Sequence, residues 1–303
     1  MFEKLSTNNS SFARWLRRTI SRYVSEDSPI IIGGCQRSGT TLLRVMLDSH
    51  PHIACGPESS LLAGSFLPHK LTKRFGIPID EIWRLRRMAS DHAHFVEMFL
   101  TRYAADRGRK RWAEKTPHHA RFLDYIFRHF PKAKFIHVIR DGRDVVCSIR
   151  THPKHRIVDG KKVATGIRKP LEPCIQAWLR ETATALRWQR HPNYFEIHYE
   201  NLVNAPGPQL RQLCEFIDEP WDPVMLEYHK QTGPSRDAAN FISNEAATAP
   251  LTTQAIERWR DELNREELAL FYKLAGKRLT ELGYEIDPAP APVLTTTVAH
   301  LAR

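Results

Sequence analysis

Between Pro29 and Pro51 the chain reads PIIIGGCQRSGTTLLRVMLDSHP, in which Gly34 and Gly39 bracket four residues and precede Thr40 and Thr41. That is the spacing of the phosphate-binding loop G-x-x-x-x-G-K-[ST], with threonine in place of the lysine. Such a loop turns backbone N–H groups and the positive end of a helix into one concavity, which suits an anion. The absent lysine would neutralise the outer phosphates of a triphosphate, so its loss argues against ATP or GTP. The cation offered instead is Arg37, inside the loop. Four further residues qualify for the same chemistry. Glu58 follows a Gly-Pro turn in CGPES, Lys115 ends RWAEK, and Arg140 ends FIHVIR with Ser148 two helical turns beyond it. Singly, each has a bland explanation: a glycine turn before a helix, a solvated glutamate, a charged strand end.

The elements that must position them read as alternating strands and helices. Ile30 to Ile32 are three β-branched residues suited to a buried strand, and Leu42/Met46 and Leu43/Leu47 mark a helix that Asp48, Ser49 and Pro51 stop. Ile53 to Cys55 is a second strand. The stretch 60–111 reads as an irregular helical excursion over the crevice, with Ile82, Leu85, Met88, Phe95, Met98 and Phe99 as core. Arg111 to Lys115 is a strand, Thr116 an N-cap and Pro117 the first position of a helix. Phe135 to Ile139 is a two-sided parallel strand, after which Asp141 caps a helix. Asp141 also resembles a magnesium-binding Walker-B residue, but the cap is the more economical reading without a P-loop lysine. The segment 150–172 reads as a mobile basic loop, 173–190 as a helix, and 194–200 as a strand with Tyr199 near its end. Helices follow at 206–217 and around Trp259 and Phe271, and the loop 241–250 is placed to fold back over the ligand. The whole predicts an α/β fold: a single P-loop-like domain with a central, mostly parallel sheet flanked by helices, its ligand at the carboxyl ends of the strands. The domain spans 29–286, between a basic amphipathic helical extension at 1–28, for which packing on the domain is expected ahead of membrane-surface association, and a flexible proline-rich tail at 287–303.

Of the 303 residues, 42% are hydrophobic, enough for a sizeable core, and the net charge is +11. Such a surplus favours anionic partners without choosing among them. The five cysteines are scattered, with no C-x-x-C pair, so no zinc site is expected. No apolar run is long enough to span a membrane and no leader is visible. Reduced thiols and the lack of an anchor together predict a soluble, cytoplasmic enzyme. No base-stacking motif of an RNA module appears, so nucleic acid is not expected as a partner.

GGCQRSGTTLLRVMLDSHP and FIHVIRDGRDVVCSI together resemble the 5′-phosphosulfate and 3′-phosphate motifs of sulfotransferases that use 3′-phosphoadenosine 5′-phosphosulfate (PAPS). The likeness is greatest to the tyrosylprotein sulfotransferase branch and its bacterial relatives. CGPES, EKTP, HYENL, Trp259 and LGYE fall in family order, so that the resemblance runs over about 29–286. It implies that Arg37, Ser38, Gly39, Thr40 and Thr41 hold the 5′-phosphosulfate, that Arg140 and Ser148 hold the 3′-phosphate, and that Tyr199 lines the nucleotide site. It makes Glu58 the general base, and Lys115 and Ser243 stabilisers of the transferring group alongside Arg37. Two positions depart from the family pattern: Ala249 stands where a lysine precedes a proline, and His152 where a basic residue is expected, with Arg150 close by.

A sulfuryl group carries less negative charge than a phosphoryl group, so fixed cations and loop amides suffice and no metal is expected. The implied reaction is in-line attack on sulfur by an acceptor hydroxyl of a saccharide, a peptide tyrosine or a small alcohol or phenol, leaving adenosine 3′,5′-bisphosphate (PAP). The basic segments favour an acidic or extended acceptor, and a homodimer is compatible with the sequence. The rivals are a P-loop kinase using ATP and magnesium, and a non-catalytic binder of anionic polymers.

Overall fold

The computed structural model describes residues 9–152, 155–158, 161–231 and 249–286. Helix α1 (Ser11–Ile20) precedes β1 (Ile30–Gly34), α2 (Thr40–Ser49) and β2 (Ile53–Cys55). Three helices, α3 (Pro68–Phe75), α4 (Ile79–Met88) and α5 (His92–Asp106), lead to β3 (Arg111–Lys115). A 3-10 turn at Pro117–Phe122 and α6 (Leu123–His129) lead to β4 (Lys134–Ile139) and α7 (Gly142–Thr151). A hairpin of β5 (His155–Val158) and β6 (Lys161–Ala164) follows, then α8 (Leu171–Leu186), β7 (Tyr194–His198), α9 (Tyr199–Asn204) and α10 (Pro206–Phe216). A 3-10 stretch (Pro223–Lys230), α11 (Trp259–Glu262) and α12 (Arg265–Glu281) complete the described chain.

Strands β2-β3-β1-β4-β7 form one sheet in that order, every neighbouring pair parallel. β1 is central and wholly buried, which explains its uniformly apolar composition. Its side chains alternate between two cores. Ile31 joins Phe95, Phe99 and Phe135 on one face, whereas Ile30 and Ile32 join Leu43, Leu47 and Val138 on the other. The chain leaves β1 toward β2 and β3 on one side and later returns to β4 on the other. The crevice beyond β1 is therefore the place where the strand order reverses.

Several expectations need adjusting. Part of the basic segment 150–172 is the antiparallel pair β5–β6, not loop alone. Tyr199 opens α9 rather than ending a strand. Thr116 does not cap with its side chain; its hydroxyl is spent on Glu114. Met88 is 59% exposed, because it lies at the end of α4 beyond the buried Ile82 and Leu85. Helix α1 does pack on the domain, but through its arginines: Arg17 Nε donates to the Gly64 carbonyl at 2.9 Å and Arg18 donates to that of Ala63. Its Phe12, Trp15 and Ile20 face outward. Residues 1–8, the tail 287–303 and the loop 241–248 lie outside the described residues.

Candidate active site

The glycine loop has a steric logic at two positions. Gly34 holds φ 150°, and a Cβ there would stand 2.4 Å from the Val138 carbonyl of β4. Gly39 holds φ 95°, and a Cβ there would meet the Tyr199 ring at 2.4 Å. Between them Arg37 itself adopts a left-handed φ of 71°, a conformation costly for a residue with a side chain and often found at functional sites. Gly39 caps α2 with no side-chain bond, so the first amides of that helix open toward the cleft beside the loop.

One cleft is lined by Arg37, Gly39, Thr40, Thr41, Arg140, Ser148 and Tyr199, which brings together seven of the residues selected from the sequence. Of the eight residues assigned to the nucleotide, Ser38 alone does not line the cleft: it is buried, and its amide donates to the Cys35 carbonyl at 3.1 Å. Two arginines form the cationic wall. Arg37 Nε donates to Ser148 Oγ at 3.1 Å, and Arg140 donates through one terminal nitrogen to the Arg37 carbonyl at 3.0 Å. Arg140 also donates to the Ala255 carbonyl and lies over the Tyr199 ring, 4.5 Å from its centroid. Burial, then the charges of Arg140 and Arg258, pull the Arg37 guanidinium below its ordinary pKa. Like charges held this close and this dry favour occupation by an anion.

Asp144, in the first turn of α7, is the counter-charge, 3.7 Å from Arg140. Its two oxygens accept the backbone N–H groups of Glu257 and Trp259 at 2.9 and 3.1 Å. Burial pushes its carboxyl up to about 6, against the pull of Arg140. Asp141 caps α7 through the Arg143 amide at 2.8 Å and pairs with the Arg143 side chain at 2.7 Å. It acts here as a cap, not as a metal-facing Walker-B residue.

Lys115 and Glu58 form the second half of the site. The Lys115 ammonium, its side chain 3% exposed, contacts the Glu58 carboxylate and donates to Thr41 Oγ1 at 3.2 Å. Thr41 thus joins this pair to the glycine cleft. Burial opposes the charge on Glu58, but Lys115, with Arg74 and His119, outweighs it and holds the carboxyl below its ordinary range. On Lys115 burial prevails over Glu58 and lowers the ammonium pKa. Ser243 lies outside the described residues.

Sequence reasoning missed Arg258, which lines the cleft, as well as Asp144 and Glu114. Asp144 was visible only as the second aspartate of RDGRD, with nothing to say that it holds a segment 113 residues away. Of the two departures from the family pattern, Ala249 accepts the Tyr228 hydroxyl through its carbonyl at 2.6 Å. Beside the other, His152, the nearby Arg150 is paired with Glu267 at 2.7 Å. Three metal-capable side chains converge among the described residues, His50, His52 and Glu219. They sit at the amino end of β2, away from the cleft, and both ring nitrogens of His50 are already hydrogen-bonded.

Residues 29–223 match the model of the sulfotransferase family. The chain belongs to that family. It is an enzyme that transfers a sulfuryl group to an acceptor, and the kinase and passive-binder readings fall away. The chain is 28% identical over 283 residues to protein-tyrosine sulfotransferase 1 of Danio rerio, covering 88% of this chain and 75% of that protein. The sulfotransferase domain of the Synechococcus PCC 7002 olefin synthase aligns with a TM-score of 0.64 at 20% identity, over 88% of this chain and 98% of that one. A mouse sulfotransferase complexed with PAP gives 0.53 at 13% identity, over 92% and 93%. At these identities the structural likeness is one of fold.

The same relatives correct the expected cytoplasmic location: the matched protein-tyrosine sulfotransferases are not cytoplasmic enzymes. The expectation read reduced thiols and the lack of an anchor as a location, and neither fixes one. No helix among the described residues is long and apolar enough to cross a membrane.

Proposed function

We propose that the sulfotransferase takes PAPS as donor and that the acceptor is a hydroxyl, with the tyrosyl side chain of a protein or peptide the leading candidate. The observation that carries this reading is continuity: Arg140, Ser148 and Arg37 join through the glycine loop and Thr41 to Lys115 and Glu58. A binding site for two separated anionic groups is thereby linked to a carboxylate. The residues fit a nucleotide bearing two anionic ends. Arg140 Nε is buried with no partner among the described residues, and Gly39 lets the Tyr199 ring close directly against the loop. The donor, when bound, supplies the activated sulfuryl group. Arg140 and Ser148 hold its 3′-phosphate, while Arg37, the loop amides, Thr40 and Thr41 hold the 5′ end.

The chain's own groups then divide the work. Glu58 takes the proton from the acceptor hydroxyl as the oxygen attacks sulfur, and the bond to the bridging phosphate oxygen breaks. Its lowered pKa keeps it ionised through the neutral range. Lys115 leaves Glu58 as that proton arrives and turns its charge to the sulfuryl and bridging oxygens, together with Arg37 and Ser243. Such preorganised charge in a dry site favours the transition state over the ground state. The test is thermal unfolding with PAP against ATP plus magnesium, followed by an acceptor screen with tyrosyl peptides, saccharides and phenols. PAP alone should raise the melting temperature. Equal or greater stabilisation by ATP with magnesium would overturn the donor assignment.

A further inference from the structure

Beneath the catalytic pair lies a buried carboxylate with no part in the steps above. Glu114 precedes Lys115 on β3, so its side chain leaves the opposite face of the strand. It is 1% exposed. Oε1 accepts from the Ser59 amide at 2.9 Å, from the Ser59 hydroxyl at 2.7 Å and from the Thr116 hydroxyl at 2.9 Å. Oε2 lies 2.6 Å from Nε2 of His119, which is fully buried. Neither atom has another hydrogen-bond partner among the described residues. The other ring nitrogen of His119 is 3.2 Å from the Ile32 carbonyl on β1. The ring thus stands between two acceptors. Two lone pairs at 2.6 Å would repel, so a proton is held between Nε2 and Oε2.

Each partner of Glu114 adjoins a working part of the site. Ser59 follows Glu58, Thr116 follows Lys115, and His119 reaches the Ile32 carbonyl on the strand that leads into the glycine loop. The segment after Glu58 needs such an anchor. Ser60 adopts a left-handed φ of 58°, and the Ser59 hydroxyl, while donating to Glu114, also accepts the Leu61 amide at 3.1 Å. Charge-assisted bonds to one buried carboxylate are stronger than neutral ones, and a satisfied buried network is rigid.

We infer that Glu114 is a positioning residue for sulfuryl transfer: through Ser59 and Thr116 it fixes the separation of the Glu58 carboxylate and the Lys115 ammonium. The inference rests on the reading of Glu58 as the base. It acts on turnover and not on the nucleotide, because none of its partners lines the cleft that holds the arginines.

Glu114→Gln keeps the shape and one acceptor oxygen but removes the charge. Displacing a catalytic group by about 1 Å costs on the order of 10²-fold, so we expect a loss of about tenfold to 10²-fold in kcat. Calorimetric affinity for PAP should stay at the wild-type value. The deciding measurement is a double-mutant cycle with Glu58→Gln. If Glu114 works through Glu58, the loss from Glu114→Gln disappears once Glu58 is already neutral. An equal loss in both backgrounds, unchanged turnover, or PAP affinity falling in step with kcat would each overturn the inference. Should Glu114→Gln fail to fold, Ser59→Ala removes one of the three donors and enters the same cycle, with a several-fold loss expected. A wild-type rate in Glu58→Gln alone marks failure of the base assignment, and the inference falls with it. Loss in Glu58→Gln without coupling to residue 114 refutes the positioning role while leaving the base in place.

Discussion

Breaking the Lys115–Glu58 pair from either side should have unequal consequences for stability, and the inequality follows from exposure. The Lys115 side chain is 3% exposed and that of Glu58 35%. Glu58→Ala leaves an ammonium enclosed with Thr41 as its hydrogen-bond partner. Removing one partner of a buried pair typically costs about 3–5 kcal/mol. Lys115 can escape by losing its proton, which caps the cost at about 4 kcal/mol near pH 7.5, three pH units below its ordinary value at about 1.36 kcal/mol each. Because Glu58 is partly solvated, the lower end applies, about 3 kcal/mol. Lys115→Met fills the lysine's space and leaves a carboxylate that water can reach, at a cost of about 1 kcal/mol or less. Urea unfolding at pH 7.5 measures both. Both variants should lose turnover, Glu58→Ala by about 10²–10⁴-fold, while retaining PAP binding by calorimetry. Lys115→Met as destabilising as Glu58→Ala, or Glu58→Ala as stable as wild type, would refute the ranking and the enclosure of Lys115 on which it rests.

Arg140→Ala should weaken PAP binding by at least tenfold, since a charge-assisted contact contributes roughly 1.5–3 kcal/mol; titration calorimetry would show it, and wild-type affinity would remove Arg140 from the nucleotide site. Gly39→Ala should abolish turnover, because the new Cβ meets the Tyr199 ring and φ is positive; Tyr199→Ala relieves the clash but not the backbone strain, so rescue in the double variant should be incomplete. Asp144 has its folded pKa raised to about 6 from 3.8, so the folded state binds the extra proton. Its contribution to stability is greatest at low pH and declines as pH rises from about 4 through 6. Asp144→Asn should flatten that part of the stability–pH curve measured by urea unfolding, and an unchanged curve would show that Asp144 does not titrate there. Glu58 runs the opposite way: its folded pKa is depressed, so its contribution is present above 4.5 and fades as pH falls through the lower folded value.

How much was legible follows from which interactions are local. The β1–loop–α2 unit could be read because three isoleucines, three glycines and an amphipathic run lie within twenty residues, and each answers to a short-range rule. Lys115 and Arg140 could be placed at the crevice because a parallel sheet gathers its strand ends on one edge. Pairings across long separations were beyond such rules. Nothing in RWAEKTP says that Lys115 meets Glu58, 57 positions earlier, or that Glu114 takes the Thr116 hydroxyl away from its expected capping role. The hairpin β5–β6 escaped because its strands are four residues each and rich in basic side chains, leaving little alternation to detect.

The inward arginines of α1 set the character of its attachment. A helix seated by hydrogen bonds to the Ala63 and Gly64 carbonyls, with aromatic residues turned out, hides little oily surface when it settles. Its release should therefore register as heat absorbed, with little of the heat-capacity change that accompanies apolar exposure. The seat also has a narrow tolerance. A Cβ at residue 64 would press to 2.4 Å on the Arg14 carbonyl, so any side chain there would act as a wedge and prise the helix from the body of the enzyme.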